Sequence, residues 1–120
     1  MLEPFVLNNL ASVDESKLAW EPFRDGVEVS WVYRNGDHGP AAAFLRYQPG
    51  AGIPFHRHPG YEHIIFLRGS QTDDRGRVGA GSIVINPPGM THKVVSEDGC
   101  LVLIFWERPV QVIHPEDRSS

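Results

Sequence analysis

The chain has 120 residues, 11 Lys+Arg against 15 Asp+Glu, a formal net charge of -4 and a pI of about 5.8. That length holds one domain with a real core and leaves no room for a second full-sized one. The basic residues are scattered, which argues against a nucleic-acid partner, and the longest apolar run, Cys100 to Trp106, is too short to cross a bilayer.

The opening residues, MLEPFVLNNL, carry neither a basic segment nor a long apolar one, so no secretory signal is read and a cytoplasmic protein is expected. Residues 1–20 are expected to form a leader packed on the domain across a sheet edge, with at most one helical turn over 14–20. From there to residue 113, glycines and prolines separate short runs rich in Val, Ile, Phe and Trp, the pattern of an all-β sandwich or barrel. Residues 27–33 read as a strand ended by Asn35-Gly36. A second strand over 41–47 stops at Pro49-Gly50, a third over 53–58 at Pro59-Gly60, and a fourth over 61–68 at Gly69. The polar run 70–77 contains a hairpin turn at Asp73-Asp74-Arg75-Gly76. Residues 82–86 form a strand, Pro87-Pro88-Gly89 turns the chain, and 92–96 form another. After the turn at Glu97-Asp98-Gly99, Cys100 to Trp106 is the most apolar strand and belongs centrally in a sheet. Residues 114–120 are a polar tail. There is no internal repeat or linker.

His56 and His58 stand two apart on a predicted strand, so both imidazoles point to one face. Pro59-Gly60 reverses the chain and returns Glu62 on the neighbouring strand. His92 opens a later strand just past the bend at Pro87-Pro88-Gly89. Three imidazoles and a carboxylate suit one first-row divalent metal ion: Fe, Mn, Zn, Ni or Co. His63 should face the other side of its strand, and His38 and His114 lie in exposed loop and tail. Cys100, the single cysteine, excludes an internal disulfide and a multi-thiolate zinc site; it reads as an inert core thiol and points to a reducing compartment. Ile64, Phe66 and Met90 either line a dry pocket beside the ligands or fill the core. Tyr47, Tyr61 and Arg46 are candidates for polar contacts to a bound molecule, and Trp31 and Trp106 read as core or interface aromatics.

Gly50-x5-His56-x-His58-x3-Glu62-x6-Gly69 and Gly81-x5-Pro87-x-Gly89-x2-His92 resemble the first and second motifs of the cupin superfamily at all nine fixed positions. Ser96 departs from the second motif, which usually ends there in an Asn that is not a ligand. Trp20-x-Pro22, Gly26-Val27, residues 41–46, Pro49-Gly50, residues 66–73 and residues 87–92 are similar to the cupin domain of ChrR-type anti-sigma factors. The resemblance implies a single-domain, RmlC-like cupin: a double-stranded β-helix, or jelly-roll-like barrel, holding its metal through His56, His58, Glu62 and His92. It also implies a homodimer formed by sheet extension or leader exchange. In those anti-sigma factors a separate N-terminal zinc module binds the sigma factor. Its Cys/His cluster is not read here, so anti-sigma activity is not carried over.

Two functions follow. One is a non-haem dioxygenase-type enzyme acting on a small oxygenated molecule, with Glu62 able to serve as a base as well as a ligand. The other is a ChrR-like metal-dependent sensor or small-ligand-binding domain without turnover. A metal-free sugar isomerase on the same barrel carries less weight, because it would not need the full ligand set. An open, apolar-walled cavity beside the ligands favours the enzyme; a closed tetrahedral ion favours the sensor.

Overall fold

A computed structural model describes residues 3–114. The expected tail, His114 apart, lies outside these residues. Ten strands follow one another: β1 (Glu21–Arg24), β2 (Val27–Arg34), β3 (Ala41–Tyr47), β4 (Ala51–Arg57), β5 (Glu62–Asp73), β6 (Gly76–Gly79), β7 (Ile83–Asn86), β8 (Thr91–Ser96), β9 (Cys100–Trp106) and β10 (Gln111–Val112). They pair antiparallel into one curled sheet in the order β1-β2-β3-β9-β5-β8-β4-β10, with β6 and β7 also on β5. The fold is all-β, as expected. Among the described residues no helix is long and apolar enough to cross a membrane.

The most apolar strand, β9, lies between β3 and β5. Its run of Leu, Val and Ile does not alternate with polar residues because both faces are covered. Inward, Val102, Ile104 and Trp106 join Val27, Val29, Ala43, Leu45, Ile64 and Phe66 in the barrel interior. Outward, Leu101 and Leu103 join Phe44 in a second cluster, against which Leu10, Val13, Leu18 and Trp20 of the leader pack. The leader therefore covers a sheet face, where an edge was expected. Among the described residues its only helical features are two 3-10 turns, Leu10–Ser12 and Glu15–Lys17. Glu15 ties it down: its carboxylate accepts from Arg68 at 2.8 Å and lies 3.7 Å from Arg46, whose guanidinium sits over the Trp20 ring.

β5 is the main departure from the expected strand layout. It does not stop at Gly69 but runs on to Asp73, bent where its register against β9 shifts between Phe66 and Arg68. Gly69 has φ +73°, and a Cβ there would run into the Gly99 carbonyl, so glycine makes the bend and does not end the strand. The two halves of β5 thus serve both sides of the barrel: 62–65 between β7 and β9, 70–73 beside β6 and β8. Ser96, the departure from the cupin pattern, is fully buried and donates its hydroxyl to the Ser70 carbonyl at 2.6 Å, joining β8 to this second half. β1, β6 and β10 were not foreseen. All three are short, and Pro22 in β1 fits an edge strand, which needs no further donor.

Candidate metal centre

Local backbone geometry brings the three histidines together. β4 carries a register shift against β8 between Ile53 and His56, spanning Pro54 and Phe55. Pro54 has no N–H for the ladder, so a bulge there costs little. Beyond it, strand alternation buries His56 and His58 and exposes Arg57. β4 ends at Arg57, but His58 stays in line because its N–H bonds to the Met90 carbonyl and its carbonyl accepts from Gly89 N–H. His92 on β8 is the direct cross-strand partner of His56, and their ring centroids are 4.5 Å apart.

Candidate ligand nitrogens of His56, His58 and His92 lie within 4.8 Å of one another, and all three side chains are buried. The outer nitrogens of two rings are already committed. His56 Nδ1–H donates to the Pro54 carbonyl at 2.7 Å, and His92 Nδ1–H donates to the Asp73 carboxylate at 2.9 Å. Both partners only accept, so each ring presents Nε2 as its lone pair. His58 Nε2 lies 3.1 Å from His92 Nε2. Two nitrogens bound to one ion at about 2.1 Å would be about 3 Å apart, so this spacing fits a shared metal. Burial lowers the pKa of His56 and of His58 to about 4, so both are neutral, with lone pairs available, at pH 7. The donor set fits a first-row divalent ion.

Glu62 is placed differently. It is buried beside the trio, yet its Oε1 lies 3.7 Å from His58 Nδ1, the far side of that ring, and accepts from Asn86 Nδ2 at 3.0 Å. Asn86 is its cross-strand partner on β7, and Trp106 its partner on β9. Burial raises the Glu62 pKa to about 7, against the downward pull of the Asn86 hydrogen bond. Asp73 has the opposite balance. Burial pushes its carboxyl up, but hydrogen bonds from His92 and the Arg75 N–H, together with the Arg75 charge, outweigh that and hold it below the usual range.

A cavity of about 60 Å³ adjoins the centre. His56, Glu62 and His92 form part of its wall, and most of the rest is apolar, including Leu45, Ile53, Val94 and Ile104. Ile64 lines it, and so does Tyr47, one of the three candidates for polar contacts; burial pushes the Tyr47 phenol pKa well up, keeping it a neutral O–H. Phe66 faces a smaller neighbouring cavity. Met90 is half-buried and lines neither. Tyr61 and His63 are exposed, as are His38 and His114. Arg46 is engaged by Glu28 and Glu15. Cys100 is buried, with its thiol pKa raised by burial.

Asp73, Asn86, Arg24 and the Pro54 carbonyl were not singled out in the sequence as site groups. Asp73 was read only as a hairpin residue. A turn motif does not show that the opposite strand brings His92 onto its carboxylate.

A curled antiparallel barrel with three buried histidines converging from β4 and β8 defines a cupin-type domain able to hold a metal ion. The chain belongs to the ChrR cupin-like domain family, whose model matches residues 8–109. Anti-sigma-E factor ChrR of Cereibacter sphaeroides is 36% identical over 95 residues, covering 77% of this chain and 43% of that protein. The chain thus spans less than half the length of this relative. The crystal structure of Rhodobacter sphaeroides SigE in complex with the anti-sigma ChrR matches with a TM-score of 0.68 and 27% identity, over 78% of this chain and 51% of that one. An acetylacetone dioxygenase from Acinetobacter johnsonii matches with a TM-score of 0.75 over 98% of this chain and 85% of that one. At 13% identity, that match shows the shared fold alone.

Proposed function

We propose that the protein is a metal-dependent cupin of the non-haem dioxygenase type, acting on a small oxygenated molecule. The observation that carries this reading is the apolar-walled cavity directly beside three buried imidazoles. A purely structural metal needs no such space. His56, His58 and His92 hold the ion through Nε2, and Glu62, whose Oε1 faces His58 Nδ1 and Asn86, supplies the fourth donor by turning its carboxylate toward the ion. A bound Fe or Mn ion would supply Lewis-acid and redox chemistry to a molecule entering from the cavity; Zn, Ni or Co would supply the Lewis-acid part. The Pro54 carbonyl and Asp73 keep two of the rings from turning. Asn86 orients Glu62, whose carboxylate could leave the ion and take a proton from the bound molecule. The apolar wall limits water around that exchange. The protein acts in the cytoplasm as a homodimer, without nucleic-acid or membrane partners. The test is oxygen uptake by iron-loaded protein with a panel of small diketones and hydroxy-ketones. Uptake abolished by His92→Ala supports the reading.

Family membership favours a second reading, a sensor or small-ligand-binding domain without turnover. It predicts ligand-dependent changes in stability or metal retention, with no oxygen consumed on any substrate.

A further inference from the structure

Trp106 ends β9 and is nine-tenths buried, yet its indole N–H has no hydrogen-bond acceptor among the described residues. Arg24, at the end of β1, also has a buried and unpartnered Nε, and no carboxylate among the described residues pairs with its guanidinium. A buried donor without an acceptor costs about 1–3 kcal/mol, so two lining one cavity need an explanation. Both residues line the cavity beside the metal centre. They are also held there. Phe23 stacks on Trp106 with ring centroids 6.3 Å apart, and the Arg24 guanidinium lies 5.4 Å from the Phe23 ring. Trp106 is the cross-strand neighbour of Glu62, so the indole and the centre share one wall. The field of Arg24 reaches both Tyr47 and His56.

We propose that Arg24 and the Trp106 indole N–H form an anion-recognition pair that binds the carboxylate of a two- to three-carbon acid in this cavity. Both groups only donate, and Arg24 carries a permanent charge, so the complement is an acceptor with negative charge. The size follows from the cavity. A volume of 60 Å³ admits about four to six water-sized groups, the scale of a short carboxylic acid. The apolar walls accommodate its carbon atoms. This deepens the metal-centre reading and rests on it only for the ligand's second anchor; the Arg24–Trp106 end stands without a metal.

The test is titration of the protein with propionate, following the indole N–H resonances of Trp20, Trp31 and Trp106 by NMR. Trp106→Phe assigns the third signal, and propionamide serves as the uncharged control. It is run on zinc-loaded protein, on protein stripped with chelator, and on His92→Ala. The expected result is a saturable shift of the Trp106 resonance with propionate and none with propionamide, while Trp20 and Trp31 stay still. Arg24→Met should weaken binding about ten-fold or more, and Arg24→Lys less. No saturable shift, an equal shift with propionamide, or unchanged affinity in Arg24→Met would overturn the proposal. The amide control requires no variant to fold. An Arg24-dependent shift that persists in stripped protein and in His92→Ala upholds this site even where the metal reading fails, which metal content reports separately.

Discussion

At His92 one side chain joins two parts of the site: Nε2 faces the other histidines, and Nδ1–H is held by Asp73. Partners of this kind, behind a ligand, commonly contribute 10–100-fold in metal affinity. Asp73→Asn should therefore weaken metal binding by about that factor while the fold survives, as read by competition with a chromogenic chelator. Glu62 gives a pH signature. Its pKa is raised from 4.5 to about 7 in the metal-free protein. The stability it contributes is full below about pH 4.5 and is lost as pH rises through 7. Glu62→Gln keeps a neutral side chain at every pH. In chelator, the variant should gain on the order of 3 kcal/mol relative to wild type between pH 4.5 and 8; urea unfolding at both ends checks this. Metal affinity carries a matching signature. His56 and His58 compete with protons only near pH 4, so a rise in affinity up to about pH 7 that vanishes in Glu62→Gln marks the carboxylate as a ligand. The histidines were legible in the sequence because their faces follow from strand alternation. Trp106 was legible as a core aromatic but its unpartnered N–H was not, and Asp73, Asn86 and Arg24 were not, because their roles depend on which strands become neighbours and where each side chain's polar atom ends up.

At the scale of elements, turns were more legible than strand ends. Asn35-Gly36 and Asp73 to Gly76 join strands that pair, β2 with β3 and β5 with β6, whereas Pro59-Gly60 and Glu97-Asp98-Gly99 carry the chain to a strand that does not pair with the one before it, so Glu62 does not return on a hydrogen-bonded neighbour of β4 as expected. Gly69 misled, since a glycine that bends a strand has the same local signal as one that stops it. Gly69→Ala should cost about 1–3 kcal/mol, through strain at its positive φ and the clash with the Gly99 carbonyl. Its unfolding midpoint should fall, while any protein that remains folded keeps its metal stoichiometry. β9 was legible as central because a strand covered on both faces loses its alternation. Half of that cover comes from the leader, whose own sequence shows little periodicity. Trp20→Ala should therefore lower stability by about 2 kcal/mol and leave metal content unchanged. Chemical denaturation with parallel metal analysis measures both.

At the scale of the molecule, Ile83 and Ile85 of β7 remain exposed, as do Phe5, Val6 and Leu7 of the leader. Large exposed apolar side chains grouped in this way suit burial against a second copy, which agrees with the homodimer proposed above. Ile83→Glu with Ile85→Glu should shift sedimentation from dimer to monomer; a wild-type protein that sediments as a monomer contradicts that part. The central claim is that the histidines brought together by β4 and β8 hold one metal ion. Elemental analysis by mass spectrometry, on protein purified without a histidine tag, tests it most directly. The account predicts about one equivalent of a first-row divalent metal in the wild type, lost in both His56→Ala and His92→Ala. A wild type that holds no metal after reconstitution, or variants that retain it in full, would contradict the claim.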